Sequence, residues 1–166
     1  MNALADGKVG DFLNEYFVSA SQKVGTFQVF GKAKVGGNVA SYFCRLVNGE
    51  LHVIHCVPGP VDAKTFLTEA RFAVELHNQA MLVGAKSWHK YGVTVQNGFR
   101  DRAGGANRSP WLPPAPSPWG GGHGTPQEQV NDFLARTTLP KLADLYPYVW
   151  KKVLLEKLSA APVTDR

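Results

Sequence analysis

The sequence predicts an α/β protein, and three stretches carry that prediction. Apolar residues at helical spacing occupy residues 9 to 16, an Asn-Gly pair at residues 48 and 49 joins two apolar segments, and a long amphipathic segment opens at Asp62. Of the 166 residues, 44% are hydrophobic, enough for a real core, while only 19% are charged. Glycine and proline are plentiful, at 17 and 11, which predicts a globular part joined to a poorly structured one.

Val9, Phe12, Leu13 and Tyr16 fall at i, i+3, i+4 and i+7, and Asp6 stands where a carboxylate caps the first free amides. The stripe runs into Phe17-Val18-Ser19-Ala20, where the period shortens. A strand is therefore expected from Phe17, as the parallel member of a central sheet. "TFQVF" (26–30) reads as a short strand, "GKAKVGG" (31–37) as a turn-rich excursion and "NVASYFC" (38–44) as an apolar strand. "RLVNGELHVIHCV" is then a hairpin, because both central residues of a two-residue turn need positive φ and Asn-Gly supplies them.

After "PGP", Asp62 caps a helix whose face holds Phe66, Ala70, Ala73, His77, Ala80 and Met81, widened by Leu67 and Val74. Gly84 is the expected stop, and residues 88–97 are expected to add a strand. From Gly98 to Gly124, twelve of 27 residues are Gly or Pro, the composition of a linker, with Trp111 and Trp119 as candidate surface anchors. "TPQE" (125–128) is a capping box with proline at the first helical position. A second helix near Pro140 carries Leu142, Leu145, Tyr146, Val149, Trp150, Val153 and Leu154, with a kink expected at Pro147. The division is residues 1–83, a linker over 84–124 and a helical tail over 125–166.

The order helix, strand, irregular stretch, NG hairpin, glycine bend and capped helix resembles the C-terminal part of a thioredoxin-like domain. "VGDFLNEYFVSASQ" is similar to the helix after the active site of that family. "SYFCRLVNGELHVIHCVPGPVDAKTFLTEA" is similar to its closing hairpin and last helix. The resemblance implies a three-layer sheet lacking its N-terminal βα unit, with an appended α-hairpin. The missing unit is the one that carries Cys-x-x-Cys at a helix N-terminus, where the thiol pKa is lowered. No Cys-x-x-Cys occurs in the chain, and Ser41 stands where the family has its cis-proline.

Cys44 and Cys56 are the only thiols and the only redox candidates. A two-residue turn sets Cys44 opposite Val53 and Ser41 opposite Cys56, so the two thiols are expected on opposite faces, barring a disulfide. A three-residue loop would instead place them diagonally on one face. His52 and His55, three apart in one strand, are expected to face opposite ways, which is poor spacing for one metal. Asp62 reads as a cap, and Glu69 and Glu75 as solvated helix positions.

No catalytic, cofactor or metal motif is present. The formal net charge is +5, but the basic residues are scattered, so no nucleic-acid patch is expected. Residues 1–20 lack the pattern of a signal peptide, and no apolar run is long enough to span a bilayer. The expectation is a soluble, non-catalytic interaction or scaffold module that binds a protein partner or itself. The alternative is a thiol-disulfide oxidoreductase whose active-site segment is missing from this chain or supplied by another chain.

Overall fold

The computed structural model describes residues 3–22, 28–30, 33–35, 38–102 and 124–156. Within them the protein is a mixed α/β structure. Helix α1 (Gly7–Tyr16) starts at Asp6, whose carboxylate accepts from the amides of Lys8 and Val9. The chain then extends through residues 17–22 without forming a ladder. The strand expected from Phe17 is thus not formed over those residues. Phe17 turns inward onto Phe43 at 5.2 Å, whereas Val18 stands fully exposed. Strand propensity rewards a half-buried surface with neighbours on both faces, and Val18 has neither.

Strands β1 (Gln28–Phe30) and β2 (Ala33–Val35) pair antiparallel, so the excursion that follows the first short strand itself contains a strand. The larger pair is β3 (Ala40–Val47) with β4 (Glu50–Pro58), also antiparallel. Among the described residues the expected parallel member is absent. The turn between them has φ of 50° at Asn48 and 82° at Gly49, both positive as the two-residue turn requires.

The register departs from a simple ladder at one point. Val47 faces Glu50 and Cys44 faces Val53, but Phe43 faces His55 and Tyr42 faces Cys56. Ile54 is the extra residue of a β-bulge, and every residue of β4 beyond it changes face relative to β3. This overturns two expectations. Tyr42 and Cys44 point the same way, so Cys56, opposite Tyr42, shares a face with Cys44. On the other face His55, opposite Phe43, and His52, opposite Arg45, are neighbours instead of pointing apart.

Helix α2 (Ala63–Gly84) begins at Asp62, which accepts from the Thr65 amide at 2.7 Å. It lies over the face bearing Phe43 and Arg45, burying Phe66, Ala70, Ala73, Leu76 and Ala80. Gly84 ends it, and for a reason the stop signal did not contain. A Cβ there would lie 2.3 Å from the backbone nitrogen of Tyr91, so only glycine lets the next helix approach so closely.

That next helix, α3 (Trp88–Arg102), replaces the strand expected over residues 88–97 and takes the first residues of the expected linker. Its Trp, Tyr, Val and Thr content favours strand, but Tyr91, Val95 and Phe99 recur every fourth residue and are all buried. Burial of that stripe outweighs the composition. Trp111, Trp119 and the rest of the linker from 103 to 123 lie outside the described residues.

Helix α4 (Pro126–Arg136) opens on the predicted capping box, Thr125 and Glu128 bonding each other's backbone. Helix α5 (Leu142–Tyr148) passes directly into a π-helical turn over Val149–Val153. Pro147 removes the amide that would donate to the Ala143 carbonyl, and the wider turn follows just behind it. The tail docks in cis on the hairpin. Val130, Leu134, Leu145, Val149 and Val153 share one buried cluster with Val53, Ile54 and Cys56. The free edge of β4 is closed where Val53 donates its amide to the Pro140 carbonyl at 2.9 Å and Gln127 donates to the Cys56 carbonyl.

Candidate functional site

Cys44 is half-buried, Cys56 is buried, and both are free thiols. Burial pushes the Cys44 thiol up to about 11, and burial, then the neighbouring Cys44, pushes Cys56 higher still. A thiolate is the reactive species, so neither sulfur is activated at neutral pH. Neither lies at a helix N-terminus, since both sit within strands. Ser41 pairs with Val57 in the ladder, and no cis peptide bond occurs among the described residues.

The β-bulge and α2 assemble a second group that sequence reasoning missed. Glu69, expected on a solvated helix face, is only 6% exposed. Its Oε2 accepts from His55 Nε2 at 2.7 Å and from Arg102 Nη1 at 2.8 Å, and its Oε1 accepts from Arg102 Nη2. Burial alone would raise the Glu69 carboxyl. The hydrogen bonds from His55 and Arg102, and the charge of Arg102, outweigh it and hold the group down at about 2. The Arg102 guanidinium also lies 4.4 Å from the Phe72 ring centre.

His55 is fully buried between Phe43, Phe72 and Phe99, with ring centres 5.9, 5.3 and 5.5 Å away. Its Nδ1 has no hydrogen-bond partner among the described residues. A bare lone pair there costs less than a stranded N–H, so the ring is neutral with its proton on Nε2. Burial lowers the His55 pKa, in agreement with that assignment. The trio joins β4, α2 and the last residue of α3. Its only sequence signal was Glu69 on the same helix stripe as Phe66, Ala73 and Ala80, three or four residues from each neighbour.

At the other end of the same sheet face, Arg45 rests on aromatic rings, 4.6 Å from the centre of Tyr91 and 5.5 Å from that of Trp88. Its Nη1 donates to the Met81 sulfur at 3.0 Å. The Tyr91 hydroxyl and His77 Nδ1 are 2.7 Å apart. His52 donates from Nδ1 to the Leu139 carbonyl and packs edge-on against Trp88 at 5.0 Å. Among the described residues no cluster of three or more His, Cys, Asp or Glu could hold a metal ion. No described helix is long and apolar enough to cross a membrane.

No protein-family model, curated protein or solved structure matches this chain.

Proposed function

We propose that the chain is a non-catalytic interaction module, with residues 1–83 derived from a thioredoxin-like fold from the helix after the active site onward. The order of α1, the NG hairpin β3–β4, the glycine bend with φ of 83° at Gly59 and the capped helix α2 supports the ancestry. The observation that carries the non-catalytic reading is the state of the thiols. The chain's two thiols sit in strands, and burial makes both harder to ionise. Disulfide exchange by this fold needs the opposite, a thiol made acidic at a helix terminus.

Exposed apolar side chains support an interaction role. Leu46 and Leu51 face each other beside the hairpin turn at 65% and 43% exposure, and Leu82, Val83 and Trp88 lie exposed around the α2–α3 corner. Such residues are the usual material of a protein–protein contact.

An insulin-reduction assay with dithiothreitol tests the reading. The expected rate is that of dithiothreitol alone. Acceleration that disappears in Cys44→Ser would overturn the non-catalytic reading. It would favour the second one, a thiol-disulfide oxidoreductase completed by another chain, for which the shared face of Cys44 and Cys56 is the supporting observation.

A further inference from the structure

The two partly buried arginines on the α2 side of the hairpin are treated differently by the fold. Arg102 is neutralised by both oxygens of Glu69. Arg45, half-buried, has no carboxylate within ion-pair distance among the described residues; it meets two aromatic rings, the Tyr91 hydroxyl and a thioether. A thioether is a weak acceptor, so most of the five guanidinium N–H donors are unspent. A partly desolvated cation without a counter-charge is costly unless an anion completes it.

The surroundings of Arg45 are arranged as donors. Burial keeps the Tyr91 phenol protonated, against the opposing pull of Arg45. With the phenol as donor to His77 Nδ1, the neutral His77 ring carries its own proton on Nε2. His52, by contrast, spends its Nδ1 proton on the Leu139 carbonyl, and its Nε2, 4.0 Å from Glu50, is the ring's acceptor. Lys86, His89 and Lys90 are exposed on either side of Trp88 in the chain. The acid on the neighbouring strand, Glu50, is held by Lys141 at 2.8 Å. On α2, Glu75 lies about 200° round the helix from His77 and faces elsewhere.

We propose that Arg45, His77 and the α2–α3 corner form a binding site for an oxyanion, either a carboxylate or a phosphate group. The guanidinium supplies the fixed charge and a planar fork, Trp88 and Tyr91 hold that fork in place, and His77 adds a donor that can become a second cation. The site does not depend on the thioredoxin-like ancestry, and a free anion suffices to reveal it.

Burial, and then Arg45, lower the His77 pKa, so a bound anion should raise it. By linkage, binding tightens as the pH falls through the range in which His77 takes up its proton. The titratable and charged groups of the site are Arg45 on β3 and Tyr91 on α3, which meet His77, with His52 on β4 against Trp88 and Lys86, His89 and Lys90 flanking Trp88 in the chain.

The test titrates the full chain with sodium phosphate and, separately, sodium acetate at constant ionic strength. It follows the imidazole 1H–15N correlations of His77 and His52. The expected result is a saturable shift of His77, tighter at lower pH. Arg45→Met should weaken it about tenfold or more, the loss of one charge-assisted pair. Saturation by both anions assigns a carboxylate-type ligand, and saturation by phosphate alone assigns a phosphate ester. If Arg45→Met loses its amide dispersion, Arg45→Lys and His77→Gln take its place, each expected to weaken binding several-fold. Shifts that never saturate, or that saturate equally in the folded variants, would overturn the site.

Discussion

A buried carboxylate is stable only when its charge is answered, and Glu69 is answered twice, by Arg102 and by His55. Removing it leaves Arg102 without its counter-charge and the His55 N–H stranded. The Arg102 side chain is 29% exposed and can turn partly to water, so the cost should sit at the lower end for a broken buried pair. Glu69→Ala is expected to lose about 3 kcal/mol of unfolding free energy in urea. A loss below about 1 kcal/mol would show that the trio is energetically neutral.

The same residues set a pH dependence. The folded Glu69 pKa of about 2 lies below its unfolded value, so its stabilisation is present above about pH 4.5 and is lost as pH falls toward 2. The folded His55 pKa is also lowered, by burial first, so the unfolded chain binds more protons below about pH 6.5. Both groups act in one direction. Urea midpoints should decline steadily as pH is lowered from about 6.5, and His55→Leu should remove the upper part of that decline.

At the scale of elements, close approach and docking decide more than propensity. Gly84 is where α2 and α3 touch backbone to backbone, with the Tyr91 Cα 2.6 Å from a hypothetical Cβ. Alanine is the better helix former, yet Gly84→Ala should destabilise by about 1–3 kcal/mol, because backbone cannot swing aside as a side chain can. An unchanged thermal midpoint would mean that the corner opens freely. The π turn carries Val149, Trp150 and Val153 into the core, with Trp150 only 4% exposed. Trp150→Ala is expected to cost about 3–5 kcal/mol, as truncation of a large core aromatic does. Its indole Nε1 is buried beside the Tyr42 hydroxyl, and among the described residues neither makes a hydrogen bond of ordinary geometry. Trp150→Phe should therefore cost much less than alanine.

Across the whole molecule, the C-terminal helices are part of the core and not a separate arm. They cover Val53, Ile54 and Cys56, and they close the edge of β4. Deleting residues 125–166 would expose that strand face and edge together. The shortened chain should be insoluble or lack a cooperative thermal transition, since open strand edges invite association. Burial also protects the thiols. Native protein should react with a thiol reagent slowly at Cys44 and more slowly at Cys56, and denaturation after mild oxidation should still reveal two free thiols. Finding none in a monomeric chain would mean that the shared strand face permits a disulfide.

Local chemistry was legible in the sequence. Asp6, Asp62 and the Thr125–Glu128 box cap the helices they mark, and Asn48-Gly49 forms the turn its composition demands. Such signals act over three or four residues and need no distant partner, so the sequence by itself determined the helix starts, the hairpin and the apolar stripe of α2. Tertiary structure decided the rest. Whether residues 17–22 become a strand depends on a neighbour to pair with, and whether residues 88–102 become helix depends on a surface that buries every fourth residue. The bulge at Ile54 left no mark in composition, yet that one residue put Cys44 and Cys56 on one face and His52 and His55 on the other. Glu69 read as solvated because its partners, fourteen residues before it in β4 and thirty-three after it in α3, come together only when both elements close over α2. A carboxylate's surroundings are a property of the folded chain, and no local pattern reports a charge brought in from that far away.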